Sequence, residues 1–119
     1  MANKRRTYTD GLRAEFWARL YLRLKFYRIL KSRWRTPVGE IDLLATRGNT
    51  LVIVEVKHRR KIDEALQCLN TRQQQRLSNA MRYAVASLPQ YASHTWRYDL
   101  LAMAPRQWPR HIISAWEAQ

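Results

Sequence analysis

Cysteine, glycine and acidic residues are scarce in this chain of 119 residues, which contains one cysteine, three glycines and nine Asp and Glu. A single cysteine, Cys68, excludes an internal disulfide bond and a cysteine-cluster metal site, and it is compatible with a reducing compartment. Three glycines provide no Gly-rich phosphate-binding loop, which excludes nucleotide-driven motors and dinucleotide-dependent dehydrogenases. The serines lie outside any Gly-x-Ser-x-Gly motif, so nothing supports a serine hydrolase.

Long apolar runs are also missing, and the strongly apolar stretch from Leu51 to Val54 has only four residues. A membrane-spanning helix needs roughly 20 apolar residues. The basic start from Met1 to Arg6 continues into polar residues, where a signal peptide would have its apolar core. We therefore expect a soluble, cytoplasmic protein with no membrane partner.

Basic residues are abundant, because 22 Lys and Arg stand against nine Asp and Glu and give a net charge of +13. Such a chain needs a polyanionic partner. Nucleic acid, with DNA first, is the strongest candidate because phosphate neutralisation by Lys and Arg supplies most non-specific affinity. An anionic membrane surface is a more distant alternative. Hydrophobic residues make up 46% of the chain, which is enough for a buried core.

The chain is expected to form one domain over residues 9–119, preceded by a mobile basic tail over residues 1–8. Thr9 or Asp10 can cap a helix that ends near Lys25. Apolar residues recur along that helix at the spacing of one face, and they are Leu12, Phe16, Leu20 and Leu24.

Three strands are predicted next, over about 27–34, 40–46 and 51–58, and their short links favour an antiparallel meander. A second helix over about 71–87 and a fourth strand over about 96–103 follow. The tail over 105–119 contains the β-like run from His111 to Ile113, and Trp116 in this tail could cover one end of the core. Its role stays open.

Three of the few acids, Glu40, Asp42 and Glu55, fall inside or at the edge of these apolar strands, where β-propensity disfavours them. Side chains alternate along a strand, so Glu40, Asp42 and Leu44 should share one face of the second strand. In the third strand, the residues expected on a common face are Leu51, Ile53, Glu55 and Lys57.

The hairpin register follows if Gly48 and Asn49 form a two-residue turn, because Arg47 then pairs with Thr50. Moving one residue further from the turn along each strand gives the next pair of opposed residues. Asp42 thereby lies opposite Glu55, and Glu40 lies opposite Lys57. Like charges directly opposed on a sheet repel, so Asp42 and Glu55 need a compensating charge. A turn with an odd number of residues would break this cluster.

A divalent cation would compensate the carboxylates, and Mg²⁺ or Mn²⁺ suits one or two carboxylates completed by water and phosphate oxygens. The carbonyl of Val56, between Glu55 and Lys57, could add a ligand. Lys57 could orient or deprotonate a metal-bound water, as phosphodiester hydrolysis requires. The ordinary alternative is a Glu40–Lys57 ion pair, with Asp42 and Glu55 partnered by nearby arginines.

The motif residues resemble the YraN family of short bacterial proteins, which is related to restriction-endonuclease-like (PD-(D/E)xK) nucleases and archaeal Holliday-junction resolvases. The resemblance covers most of the chain and rests on Gly39-Glu40-Ile41-Asp42-Leu43 and Val54-Glu55-Val56-Lys57, with Gly11, Glu15, Ala18, Arg59 and Arg97-Tyr98-Asp99. It implies an α/β fold with an α-β-β-β-α-β core, in which a mixed central sheet is flanked by helices. Related resolvases act as dimers, so a homodimer is suggested by analogy.

The same resemblance implies that Asp42, Glu55 and Lys57 occupy the Asp and Glu-x-Lys nuclease positions. It also places Glu15 at the helix-one acid that often assists the metal. From the residues alone, an i,i+4 pair with Arg19 would explain Glu15 as an ordinary solvated side chain.

Basic residues flank this cluster in sequence, with Trp34 between two of them, and could grip the sugar-phosphate backbone while Trp34 stacks on an unpaired base. They are Arg33, Arg35, Arg59 and Arg60. The expected function is a Mg²⁺-dependent endonuclease for branched or structured DNA in repair or recombination. The alternative is a nucleic-acid-binding module that keeps the nuclease fold without cutting. Asp99 is expected to be a structural acid paired with Arg97 or Arg82.

Overall fold

The computed structural model describes residues 2–117, with side chains from residue 13 onward. The helices are α1 (Ala2–Leu24), α2 (Ile62–Leu66) and α3 (Thr71–Ser87), with a 3₁₀ turn at Pro89–Tyr91. The strands are β1 (Arg28–Thr36), β2 (Gly39–Arg47), β3 (Thr50–His58), β4 (Thr95–Met103) and β5 (Arg110–Ile112). They form one sheet in the order β1-β2-β3-β4-β5, which confirms the expected α/β fold.

The sheet is mixed because of how its strands are connected. Strands β1, β2 and β3 form an antiparallel meander, and Gly48 adopts the positive φ of 58° that its tight turn with Asn49 requires. Strand β4 returns parallel to β3 after α3, and β5 pairs antiparallel with β4. The predicted second helix, from Thr71 to Ser87, is confirmed, and a capping box between Asn70 and Gln73 begins it.

The two faces of the sheet carry separate apolar clusters, each covered by one long helix. The α1-side cluster contains Ala14, Ala18, Leu22, Tyr27, Leu43, Ala45, Val52, Val54, Leu101 and Met103. The α3-side cluster contains Ile41, Leu44, Leu51, Ile53, Leu77, Ala80, Met81, Ala84, Tyr98 and Trp116. The expectation that Trp116 covers one end of the core is therefore confirmed, and its ring lies 5.5 Å from that of Tyr98.

Helix α1 differs from expectation at its start, because it begins at Ala2 instead of Thr9 or Asp10. The backbone of residues 2–8, expected as a mobile basic tail, is helical in the structure, in line with the good helix propensity of Lys and Arg. Residue 1 and the side chains up to residue 12 lie outside the described part. None of the described helices combines the length and apolar character that crossing a bilayer requires.

The apolar residues that predicted α1 are mostly not the ones it buries. Phe16, Leu20 and Leu24 are exposed to solvent, and the helix contacts the sheet through Ala14, Ala18 and Leu22. The physical reason is size, because small alanines let the helix backbone approach the sheet closely. A second apolar surface is thereby left on the outside of the helix.

Candidate active site

The hairpin of β2 and β3 has the predicted register, with Arg47 opposite Thr50 and the pairing continuing as far as Leu43 opposite Val54. The ladder ends there, one step short of Asp42 and Glu55. Asp42 then uses its side chain to reach β3, because its Oδ2 accepts a hydrogen bond of 2.9 Å from the backbone amide of Val56. The Asp42 carboxylate thus lies in the gap between the two strand ends.

The side-chain alternation of β2 changes at this point. Ile41 and Leu44 both belong to the α3-side cluster, whereas Leu43 belongs to the α1-side cluster. Strict alternation cannot place residues 41 and 44 on the same face, so the regular pleat assumed for Glu40, Asp42 and Leu44 is interrupted. The irregularity coincides with the end of the ladder, which frees the Asp42 side chain from a regular pleat position.

Asp42, Glu55 and Lys57 meet at this gap. The carboxyl groups of Asp42 and Glu55 lie close enough to influence each other's ionisation, and Lys57 Nζ lies 3.2 Å from Glu55 Oε1. The side chains of Glu55 and Lys57 are only 13% and 14% exposed. The structure therefore brings together two nearly buried acids and one ammonium, which a purely structural ion pair would not require.

The protein environment disfavours the ionised form of both carboxyl groups. Burial and the neighbouring Asp42 charge raise the pKa of Glu55 to about 8, against the lowering effect of Lys57. Burial also raises the pKa of Asp42, although the Val56 amide and the Lys57 charge oppose the rise. One lysine does not offset two buried carboxylates, so the pair favours either a proton or an additional cation.

Glu40 lies outside this pair. Its expected position opposite Lys57 is wrong, because the β2–β3 ladder ends before it and Glu40 pairs instead with Arg35 across β1. Its carboxylate lies 3.9 Å from Arg35 Nε and 4.0 Å from Arg33 Nε, and its side chain is 42% exposed. The alternative of a Glu40–Lys57 ion pair is also wrong, because Lys57 pairs with Glu55 and Glu40 with the two arginines.

Glu15 projects from α1 toward the same region. It is largely buried and forms an ion pair of 3.3 Å with Arg33, whose φ of 49° is rare for a residue other than glycine. Burial raises the pKa of Glu15, the Arg33 charge lowers it, and the Asp42 charge raises it further. Arg33 is thus a stronger partner than Arg19, and Glu15 lies close enough to Asp42 for the two charges to interact.

The basic residues proposed to contact nucleic acid differ in their surroundings. Arg35, Arg59 and Arg60 are exposed, and Arg59 donates a hydrogen bond of 2.8 Å to the carbonyl of His58. Arg33, in contrast, contacts Glu15 and Glu40. Trp34 is half-buried, with its ring centroid 5.9 Å from that of Tyr83. Trp34 packs on one side against Tyr83, whereas the three exposed arginines can reach a phosphate.

The oxygen donors in the gap suit a hard divalent cation. Within residues 13–117, no three His, Cys, Asp or Glu side chains gather to form a metal site by themselves. The available donors are the Asp42 and Glu55 carboxylates and the Val56 carbonyl, which faces the same side of β3 as the amide bonded to Asp42. Mg²⁺ and Mn²⁺ accept such a set completed by water, whereas structural zinc requires four protein ligands.

A groove between α1 and the loop before β5 was not anticipated from sequence. It measures about 780 Å³, and its walls include Trp17 and Leu24 of α1, His58 of β3 and Trp108 of the loop before β5. The sequence of α1 could have indicated this groove, because apolar residues occupy more of the helix circumference than one buried face requires.

Comparison with known proteins places the centre inside a recognised sequence family. Residues 14–103 match the family described as uncharacterised protein family UPF0102. A UPF0102 protein of Parvibaculum lavamentivorans is 47% identical over 92% of this chain and 82% of its own length. UPF0102 proteins of Chelativorans and Nitrobacter winogradskyi are 43% and 44% identical, over 98% and 91% of this chain and 94% and 92% of their own lengths. These names state no reaction.

Proposed function

The chain belongs to the UPF0102 family, which is the YraN-like family that its motifs resemble, and we propose that it is a Mg²⁺- or Mn²⁺-dependent endonuclease. The observation that supports the proposal is the gathering of Asp42, Glu55 and Lys57, in which Asp42 accepts a hydrogen bond from the Val56 amide and Lys57 pairs with the nearly buried Glu55. Strongly perturbed acids in such an arrangement cluster at functional sites.

The proposed roles follow from the geometry. Asp42 and Glu55, with the Val56 carbonyl, would hold the cation in the gap between β2 and β3. A bound divalent cation lowers the pKa of a coordinated water and offsets charge that develops on a phosphate under attack. Lys57 stays 3.2 Å from Glu55 and can orient the attacking water or take its proton. Glu15 lies next to Asp42 and would add negative charge on the side of α1.

DNA is the proposed substrate because the chain carries a net charge of +13 and exposes Arg35, Arg59 and Arg60 near the centre in sequence. Neutralising several phosphates in this way gives strong, salt-dependent affinity. The likeness to junction-resolving nucleases favours branched or structured DNA and a role in repair or recombination.

A second candidate is a module that binds nucleic acid without cutting it. It is favoured by the finding that the described residues contain no three-ligand cluster of His, Cys, Asp or Glu. Binding would then rest on the basic surface alone, with no cation held between Asp42 and Glu55.

Cleavage of branched, flapped, duplex and single-stranded DNA with and without Mg²⁺ or Mn²⁺ distinguishes the two candidates. The endonuclease proposal expects metal-dependent cleavage that Asp42→Asn and Lys57→Met each reduce by about 10² to 10⁴, the usual range for a lost acid–base group. Asp63→Asn, at an exposed acid of α2, is the matched control and should leave cleavage unchanged. Salt-sensitive DNA binding without cleavage of any of these substrates would favour the binding module.

A further inference from the structure

The groove between α1 and the loop that follows β4 has an unusual apolar surface. We call it the tryptophan groove and define it by Trp17, Leu20, Leu24, His58 and Trp108. Trp17 is 54% exposed, Leu24 is 72% exposed and Trp108 is 87% exposed. Large apolar side chains gathered on one open surface, in contrast to isolated ones, mark a place where another molecule binds.

The charge around the groove restricts what that molecule can be. Arg13 and Arg106 line it together with His58, and its described lining includes no Asp or Glu. A second copy of the chain, joined by two-fold symmetry, would set two surfaces of the same positive charge against each other. Such juxtaposed like charges are unfavourable. The occupant must therefore combine flat apolar surfaces with negative charge.

Unpaired nucleotides have this combination, because a base can stack on an aromatic ring while its phosphate contacts an arginine. Trp17 and Trp108 supply the two rings, and Arg13 and Arg106 supply the cations. Duplex DNA does not fit as well, because its bases are already stacked and only its phosphates are exposed to such a groove.

The groove and the candidate centre are built from neighbouring residues of the same two elements. His58 follows Lys57 directly on β3, and Ala14, which also lines the groove, precedes Glu15 on α1. Side chains alternate along a strand, so His58 and Lys57 leave β3 on opposite faces. A nucleic acid with a phosphate at the Asp42–Glu55 gap would therefore reach the groove by passing around the end of β3 at His58.

We propose that the tryptophan groove holds unpaired nucleotides of a DNA substrate and so selects DNA that carries a single-stranded segment next to the cleavage position. The selection of a cleavage position rests on the proposed nuclease function. Binding of single-stranded DNA by the groove does not, so the two ideas can fail separately.

The test measures binding of a short oligothymidylate and of a blunt duplex of the same length, with EDTA present so that no cleavage occurs. Trp17→Ala/Trp108→Ala should weaken oligothymidylate binding about tenfold or more, as expected for lost base stacking, and should change duplex binding less than about threefold. Trp96→Ala is the control, because Trp96 is also exposed but lies at the opposite end of β4 from the groove. It should leave both affinities unchanged.

The single variant Trp108→Ala controls for misfolding of the double variant, because a side chain that is 87% exposed contributes little to the core. It should weaken oligothymidylate binding with an unchanged melting temperature. Unchanged affinity in the folded variants, or equal loss for both DNA forms, would overturn the proposal. A wild-type dimer that the double variant converts to a monomer with unchanged DNA affinity would assign the groove to a second copy.

The Asp42→Asn variant separates this proposal from the nuclease function. If wild-type protein binds oligothymidylate through the two tryptophans but cuts nothing, the groove is supported and the nuclease function fails. If wild-type protein cuts DNA in a way that Asp42→Asn abolishes, while the tryptophan variants bind and cut normally, the groove proposal fails and the nuclease function stands.

Discussion

Two buried acidic sites on one sheet behave in opposite ways. Asp99 on β4 is fully buried, yet its pKa is lowered because hydrogen bonds from His111 and Arg97 outweigh the effect of burial. Asp42 and Glu55 are less buried, yet the pKa of each is raised, with burial as the largest cause. Burial alone therefore does not decide whether an acid is ionised, and the difference lies in the partners that the fold provides.

Each carboxylate oxygen of Asp99 accepts two hydrogen bonds. Arg97 donates two hydrogen bonds of 2.9 and 2.8 Å, and the amide of Ser114 donates one of 3.0 Å. Lys25 Nζ lies 2.9 Å from His111 Nδ1, so Nδ1 accepts and Nε2 carries the proton that it donates to Asp99 at 2.7 Å. This confirms Asp99 as a structural acid paired with Arg97. The protein thus supplies Asp99 with a full set of donors, whereas Lys57 and the Val56 amide do not offset the burial of Asp42 and Glu55.

The largest expected effect comes from neutralising the Asp42–Glu55 site. Glu55→Gln should reduce metal-dependent cleavage by about 10² to 10⁴ and should leave the metal-free protein as stable as wild type or more stable, because a neutral Gln avoids the cost of keeping Glu55 protonated in the folded state. Cleavage rate and urea denaturation in EDTA measure the two effects. Strong destabilisation by Glu55→Gln would remove the contrast with Asp99.

The converse substitution is Asp99→Asn, which should destabilise the protein by about 3 to 5 kcal/mol because Arg97 then loses its buried counter-charge. The fraction that remains folded should still cleave DNA at the wild-type rate. Urea denaturation measures the loss, with Asp63→Asn as the exposed control. A loss of cleavage larger than the loss of folded protein would implicate Asp99 in the reaction.

The two sites should also give opposite pH dependences. Since the folded pKa of Glu55 is raised to about 8, the folded state keeps a proton that the unfolded state has lost, and the stability of the metal-free protein falls as pH rises from about 4.5 to 8. Asp99 acts in reverse, because its lowered pKa stabilises the fold above pH 3.8 and that stability is lost as the pH falls below this value. The free energy of unfolding of wild type and of Glu55→Gln, measured between pH 5 and 8, should therefore depend differently on pH. The same pH dependence for both would contradict the raised pKa of Glu55.

The smallest effect is expected at Glu40, which is partly exposed and contacts arginines instead of the carboxyl pair. Glu40→Gln should change stability by less than about 1 kcal/mol, as surface ion pairs usually do. It should also reduce cleavage less than tenfold. A loss equal to that of Glu55→Gln would extend the centre to include Glu40.

The part of the site that depends on a short turn could be predicted from sequence. A two-residue turn at Gly48 and Asn49 determines the pairing of every later residue, so Asp42 and Glu55 could be placed near each other by counting. The end of the ladder at Leu43 and the change of alternation near it could not be predicted, since both depend on packing between distant elements. The partner of Glu40 was missed for this reason.

Helix α1 shows a second limit of prediction from sequence. Its periodic apolar residues indicate a helix correctly, but periodicity does not say which of two apolar faces meets the sheet. Size decides it, because Ala14 and Ala18 allow closer packing than Phe16 and Leu20 do. The five-residue helix α2 was missed as well, because its first residue has no side-chain cap to signal a helix start.

Titration of the protein with Mn²⁺, followed by the electron paramagnetic resonance signal of the free ion, shows whether Asp42 and Glu55 bind a divalent cation. We predict one Mn²⁺ site per wild-type chain, lost in Asp42→Asn/Glu55→Gln and retained in folded Asp99→Asn. Equal Mn²⁺ binding by wild type and the Asp42→Asn/Glu55→Gln variant, or no binding by wild type under conditions in which it cuts DNA, would contradict the assignment of this pair as the metal-binding centre.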